Sequence, residues 1–277
     1  MAKILEKRKV RPDVYYIRLD TPDIAEHAKP GQFVIIRIHK NGERIPISLA
    51  DIDPERGSIS LMYMTVGKTS TELSTLEVGD EIKDVVGPLG KPSHIEKFGR
   101  VALVGGGFGV APLYPIAKAL KAAGNEVVTV MGARNEDLLL YENEMAATCD
   151  EVLITTDDGS KGIKGVVTIA LEEELKKGID LVIAIGPAIM MKFVCKTTEP
   201  HKVKTWVSLN PIMVDGTGMC GACRVSVGGQ TKFGCIDGPE FDGHEVDWDL
   251  LMSRQQMYLK EEKEAMELYE CNCAPAS

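Results

Sequence analysis

Asp215, Cys220, Cys223 and Cys235 stand in the spacing D-x4-C-x2-C-x11-C. Four anionic side chains on one Gly-rich loop can surround two irons. The pattern is that of plant-type [2Fe–2S] loops, C-x4-C-x2-C…C, with the first cysteine exchanged for aspartate. Gly216, Gly218 and Gly221 let backbone N–H groups approach the sulfurs. A C-x2-C pair is also a zinc spacing. A structural zinc site would want a second paired spacing, and no Cys or His lies two to four residues from Cys235. The residues therefore favour an electron carrier. Asp215 has a second reading as the turn aspartate of a D-G pair. Its position at the missing ligand favours ligation, and Cys195, Cys271 and Cys273 are the outside competitors.

A second group of residues suits phosphates. Val101–Val104 reads as a short buried strand, and Gly105-Gly-Gly-Phe-Gly follows at once. Counted from Gly107, the loop is G-F-G-V-A-P, ending at Pro112, and it opens a helix. Gly105, Gly107 and Gly109 allow backbone to approach a pyrophosphate, and free N–H groups at the helix start attract its charge. Pro112 in the first turn gives up no helical bond. A glycine run at such a turn also serves packing alone. Gly132-Ala-Arg134 ends the next strand, where a sheet crevice meets the adenosine half of a dinucleotide; Arg134 also reads as an ordinary surface arginine. Gly186-Pro187 ends a later strand at the carboxyl edge and is a candidate nicotinamide contact.

In the N-terminal third, Arg44-Ile-Pro46-Ile47-Ser48-Leu49 lies on an expected strand, and Tyr63-Met-Thr65-Val-Gly67-Lys-Thr69-Ser70 follows another. Gly, Ser and Thr with free N–H groups suit a second phosphate. Each of these alone reads as a turn, and the pairing of two phosphate-type loops raises their significance.

The elements that must position these residues fall into two kinds. From Ile4 to Asp84 short runs such as Val14–Leu19, Gln32–Ile38 and Ser58–Thr65 read as strands. Pro30-Gly31 and Asn41-Gly42 separate them, the latter as a hairpin signal. A small antiparallel barrel is expected over residues 1–97. From Gly99 onward strands and helices alternate, which implies a parallel sheet covered by helices over 98–209. Residues 210–246 make the metal-binding segment. Residues 247–277 form a helix-prone polar tail, read equally as a cap or a partner-binding element, with a mobile end from Cys271.

The 277 residues suit two domains or a little more. A net charge of −9 and no basic block to neutralise phosphates argue against a nucleic-acid partner. No apolar run is long enough to span a bilayer, and no signal peptide follows Met1. Seven cysteines without a secretion signal point to a reducing cytoplasm and metal binding.

Together the R-x-P-x-S strand, the G-x-G-x-x-P loop and the C-terminal cysteine loop resemble the ferredoxin–NADP reductase superfamily over nearly the whole chain. Within it the chain resembles the electron-transfer subunits of dihydroorotate dehydrogenase and their relatives. Asp215 in place of the first cysteine, with the longer C-terminal extension, is similar to the small subunits of NADH-dependent reduced ferredoxin:NADP oxidoreductases, which bifurcate electrons. The resemblance implies that the barrel binds FAD, the α/β domain binds NAD(H), and the [2Fe–2S] cluster serves a larger partner subunit. That partner would carry another FAD and [4Fe–4S] clusters and deal with ferredoxin and NADP. By position, Thr69 and Ser70 match the family's pyrophosphate-binding pair. Arg44 stands four residues before Ser48 where the family places its arginine three before, so Pro46, Ile47 and Ser48 are carried over ahead of it. Hydride exchange between NADH and FAD needs no general acid or base, and no catalytic side chain is assigned.

Overall fold

Seven strands from the N-terminus make one antiparallel sheet in a computed structural model that describes residues 1–273. They are β1 (Ala2–Arg11), β2 (Val14–Asp20), β3 (Phe33–Arg37), β4 (Ile45–Asp53), β5 (Ser58–Met64), β6 (Glu81–Ile82) and β7 (Asp84–Leu89), with short helices α1 (Pro22–His27) and α2 (Lys68–Leu73) between them. The order β6-β1-β2-β5-β4-β3-β7 ends on two strands separated only by Lys83, so a single bent segment pairs with both edges and the sheet wraps on itself. Ile17, Leu19, Ile47, Leu49, Ile59 and Leu61 alternate inward and fill the barrel. The β3–β4 hairpin forms with Ile36 opposite Ile45, and its loop is wider than Asn41-Gly42 alone, running from Ile38 to Arg44.

A second sheet follows: β8 (Arg100–Gly106), β9 (Glu126–Ala133), β10 (Glu151–Thr156), β11 (Ile163–Lys164), β12 (Leu181–Ile185) and β13 (Lys204–Ser208), all parallel. Helices α3 (Val110–Ala122), α4 (Glu142–Thr148), α5 (Val167–Lys176) and α6 (Ala188–Thr198) cover its faces. Leu181–Ile185 is buried throughout, as a strand sandwiched between helical layers must be. The chain leaves β8 in one direction for β9 and β10 and returns to its other side for β12, so the order reverses between β8 and β12. A crevice at that reversal is where open α/β sheets bind ligands.

The cysteine segment is not a separate body. Its hairpin, β14 (Arg224–Val227) and β15 (Gln230–Phe233), places Val225 and Val227 in the same apolar core as α5 and α6. β16 (Glu240–Asp242) then adds an antiparallel edge strand beside β13. The tail is two helices where the composition suggests one. α7 (Trp248–Gln255) buries Trp248 and Leu251 in that core, and α8 (Leu259–Cys273) packs against α2 of the barrel. The expected mobile end splits: helix continues through Cys273, and residues 274–277 lie outside the described residues. Among the described residues no helix is long and apolar enough to cross a membrane.

Candidate functional site

The cysteine loop rests on the barrel. Cys223 and Cys235 are each 2% exposed, their Sγ atoms lie 3.2 Å apart, and they share an apolar cluster with Phe33, Ile35 and Met213. Phe33 and Ile35 point outward from β3 because their neighbours Val34 and Ile36 point into the barrel core. Gly216, at φ +76°, is forced by that docking: a Cβ there would lie 2.6 Å from Leu89 Cδ1 and 2.9 Å from Ile35 Cγ1. Burial, and then the neighbouring Cys223 thiol, push the Cys235 thiol well above its usual value. A metal bound here would have to displace the proton that the apolar seat holds on Cys235.

Of the other two expected ligands, Cys220 is exposed and Asp215 half-buried. The Asp215 carboxylate is folded onto its own loop: Oδ1 accepts from the Thr217 N–H at 2.7 Å and Oδ2 from the Cys220 N–H at 2.9 Å. Those bonds, the Thr217 N–H first, hold it below the usual carboxylate range. These bonds favour the ionised carboxylate, and through them Asp215 braces the loop that presents Cys220. Among the described residues no three His, Cys, Asp or Glu side chains stand together as a metal-binding group, and of the three expected thiol ligands Cys223 and Cys235 are the two in contact. Two buried thiols in contact, with a third thiol and a carboxylate on the same loop, are the donor types that the sequence pattern expects of an iron–sulfur loop.

β4 carries the outward residues expected to meet the flavin. Pro46 and Ser48 are exposed, and Ile47 and Leu49 are in the barrel core, so the latter two offer only backbone. Ile45, at the family's arginine position, packs against the core, while Arg44 precedes the strand and is exposed. Tyr63 likewise lies inward, stacked on Tyr15 at 5.7 Å with its hydroxyl buried and without a partner. Its side chain faces away from the outer surface of β4, and only its backbone borders the loop that follows. The Thr65 N–H donates to the Asp13 carbonyl at 2.9 Å.

The Gly67 loop is preformed. Ser70 Oγ accepts from the Val66 and Gly67 N–H groups, both at 3.1 Å, which leaves the Ser70 hydroxyl committed to the turn. Thr69 Oγ1 donates to Glu43 Oε2 at 2.7 Å, and Lys68 lies 3.4 Å from the same carboxylate. Glu43, which spacing alone does not single out, therefore holds the Thr69 donor that a diphosphate would use.

At the carboxyl edge of the parallel sheet the expected nucleotide turns lie side by side. Gly105 pairs with Met131 on one side and Ile185 on the other, which brings the turns after β8, β9 and β12 together. The glycines divide by role. Cβ atoms on Gly105 and Gly109 would lie 2.7 Å from Val110 Cγ2 and 2.1 Å from the Ile185 oxygen, so these two permit close packing. Gly107, at φ +52°, faces open space and leaves room for a ligand. Pro112 is buried in the first turn of α3. Arg134 is exposed just past β9, and Pro187 caps α6 beside Gly186.

The two nucleotide surfaces meet at β4. Phe108 and Ala111, from the Gly loop and α3, pack with Ala50, Met62 and Tyr16 of the barrel. Lys118 of α3 pairs with Asp51 at 2.8 Å, and Arg11 donates to the Leu139 carbonyl at 2.9 Å. Sequence periodicity carries no trace of this packing of Phe108 and Ala111 on the barrel. The outward role of Phe33 and Ile35 did leave a signal: β3 is an unbroken apolar run, which requires cover on both faces.

Comparison with known proteins agrees with this arrangement. Residues 103–196 match the family described as oxidoreductase NAD-binding domain, and residues 210–247 match the iron–sulfur cluster binding domain of dihydroorotate dehydrogenase B. A dihydroorotate dehydrogenase B electron transfer subunit homolog from Thermotoga maritima is 53% identical, over 97% of this chain and 95% of that protein. The dihydroorotate dehydrogenase B electron transfer subunit of Desulforamulus reducens is 35% identical, over 90% and 98%. The solved structure of an NADH-dependent reduced ferredoxin–NADP oxidoreductase, determined for flavin-based electron bifurcation, superimposes with a TM-score of 0.92 at 51% identity. That match covers 97% of this chain and 98% of the solved one.

Proposed function

Because the chain belongs to the family of dihydroorotate dehydrogenase B electron-transfer subunits and their homologues, we propose that it is the FAD- and [2Fe–2S]-carrying small subunit of an NADH-dependent, electron-bifurcating ferredoxin–NADP oxidoreductase. Its partner is a larger subunit with its own FAD and [4Fe–4S] clusters, which handles ferredoxin and NADP. The observation that carries the reading is the position of β4: the nucleotide-loop edge of the parallel sheet abuts it through Phe108 and Ala111, and the thiol seat lies on its neighbour β3. The whole-chain likeness to the bifurcating oxidoreductase supports the choice of partner.

When bound, these groups supply hydride transfer, its division into single electrons, and their onward passage. The chain supplies placement. Pro46, Ser48 and the backbone of Ile47 and Leu49 would hold the flavin ring, and the Gly67–Ser70 turn its diphosphate, with the Tyr63–Thr65 backbone alongside. Gly107 and the start of α3 would hold the nicotinamide nucleotide's pyrophosphate, Arg134 its adenosine side and Gly186–Pro187 its nicotinamide. Asp215, Cys220, Cys223 and Cys235 would hold the cluster. Phe108 and Ala111 exclude water from the joint between the two nucleotide surfaces.

The test is anaerobic purification of the native complex, followed by assay with NADH, reduced ferredoxin and NADP. NADP reduction that needs both donors is the expected result. A complex that instead oxidises dihydroorotate would move the chain to the other branch of its family.

A further inference from the structure

Two guanidinium groups border the loop that presents Cys220. An open groove beside it is lined by Cys220, Ala222, Arg224, Arg254 and Tyr258. Arg254 reaches the loop directly: its Nη2 donates to the Ala222 carbonyl at 3.1 Å, between the two cysteines of the C-x2-C pair. Arg224 lies over the other side, with Nη1 3.1 Å from where a Cβ on Gly221 would stand. Among the described residues neither has a carboxylate within ion-pair distance.

Arg254 is held by its helix. α7 is anchored by Leu251, 2% exposed in the α/β core, by Trp248 Nε1 donating to the Gly243 carbonyl at 3.1 Å, and by Gln255 donating to the Asn210 carbonyl at 3.0 Å. The charge is therefore fixed relative to the α/β domain, while the loop it grips rests on the barrel.

We propose that Arg254 is a positioning residue of the cluster that sets its reduction potential, an inference that rests on the iron–sulfur reading above. The physical cause is electrostatic. Reduction adds one negative charge to the cluster, and a fixed cation a short distance away stabilises the reduced form more than the oxidised one. Groups just outside the ligands, through hydrogen bonds and local charge, are a main lever on cluster potential. The same hydrogen bond fixes the Ala222 carbonyl and with it the direction of both flanking cysteines.

The test uses the full chain in its complex and two variants. Arg254→Gln keeps an N–H donor for the Ala222 carbonyl and removes the charge; Arg254→Lys keeps the charge. Iron and sulfide content, the EPR spectrum and the midpoint potential are measured in each. With full cluster content, Arg254→Gln is expected to lower the reduced fraction at a fixed potential about tenfold, a shift of about 59 mV for one electron. Arg254→Lys is expected to stay close to the parent. An unchanged potential in a fully loaded Arg254→Gln protein overturns the proposal, as does an equal shift in both variants, which would mean geometry without charge. A parent protein that binds no iron would instead sink the cluster reading on which the proposal stands.

Discussion

Phe33 and Ser48 are directly opposite each other across the β3–β4 ladder, and they border two different candidate sites. Phe33 belongs to the apolar seat of Cys223 and Cys235, and Ser48 is exposed on the strand expected to meet the flavin. Neighbouring strands in a sheet are about 4.8 Å apart. In the proposed function, cluster and flavin would therefore be separated by one hydrogen-bonded step of the barrel. Phe33→Ala is expected to destabilise the protein by about 3–5 kcal/mol, as for other buried aromatics, and to lower bound iron. Urea unfolding and iron analysis check both; a loss below about 1 kcal/mol would mean that the loop does not depend on this seat.

Asp215 binds the N–H groups of Thr217 and Cys220, and this bracing is compatible with ligation by its free lone pairs. Asp215→Cys is expected to keep a [2Fe–2S] centre and change its reduction potential, since ligand identity is a main lever. An unchanged potential and spectrum would reduce Asp215 to a loop brace. Its lowered pKa has a definite sign: the loop bonds stabilise the fold above the ordinary carboxylate range and are lost as pH falls through the folded value.

Glu240 behaves oppositely. The residue is half-buried, but its carboxyl is turned inward against the Ser93 hydroxyl, and burial raises its pKa to about 7. The unfolded chain ionises it near the ordinary value of 4.5, so unfolding releases a proton between the two. Stability contributed by this group is present below pH 4.5 and declines as pH rises toward 7. Glu240→Gln is expected to flatten that slope and to stabilise the protein at pH 8, on the order of 1–3 kcal/mol. Denaturation midpoints across this pH range check it, and parallel curves for the two proteins would contradict it.

The glycines of the nucleotide turn separate packing from binding. Gly109→Ala would drive a Cβ to 2.1 Å from the Ile185 oxygen and is expected to damage the fold. Gly107→Ala meets no atom and carries only the strain of a left-handed residue, roughly 1–2 kcal/mol. It is expected to leave a folded protein with weaker NADH binding, seen as a raised KM with a melting temperature lowered by only a few degrees. Equal melting temperatures for the two variants would refute the division.

What could be read from the residues was whatever is local. The strand–helix alternation after Gly99 and the cysteine spacing are short-range patterns, and the parallel sheet and the Cys223–Cys235 pairing follow them. Long-range contacts were not legible. Ile47, Leu49 and Tyr63 lie in a phosphate- and flavin-like stretch, yet the barrel's inward alternation takes their side chains into the core. The Gly105-Gly-Gly-Phe-Gly run looks uniform, but only the neighbours brought by folding distinguish Gly107 from Gly109. Glu43 and Arg254 act through partners 26 and 32 residues away, a separation that no periodicity reports.

The most direct test of the account is an anaerobic NADH titration of the reconstituted protein in its complex, followed by flavin absorbance and by EPR of the [2Fe–2S] centre. Flavin absorbance is expected to bleach and a reduced [2Fe–2S] signal to appear; Gly216→Val, which forces the cluster loop off Leu89 and Ile35, is expected to abolish the cluster signal while the flavin still bleaches. A protein that binds NADH while flavin and cluster stay oxidised, or one that holds zinc in place of iron, would contradict it.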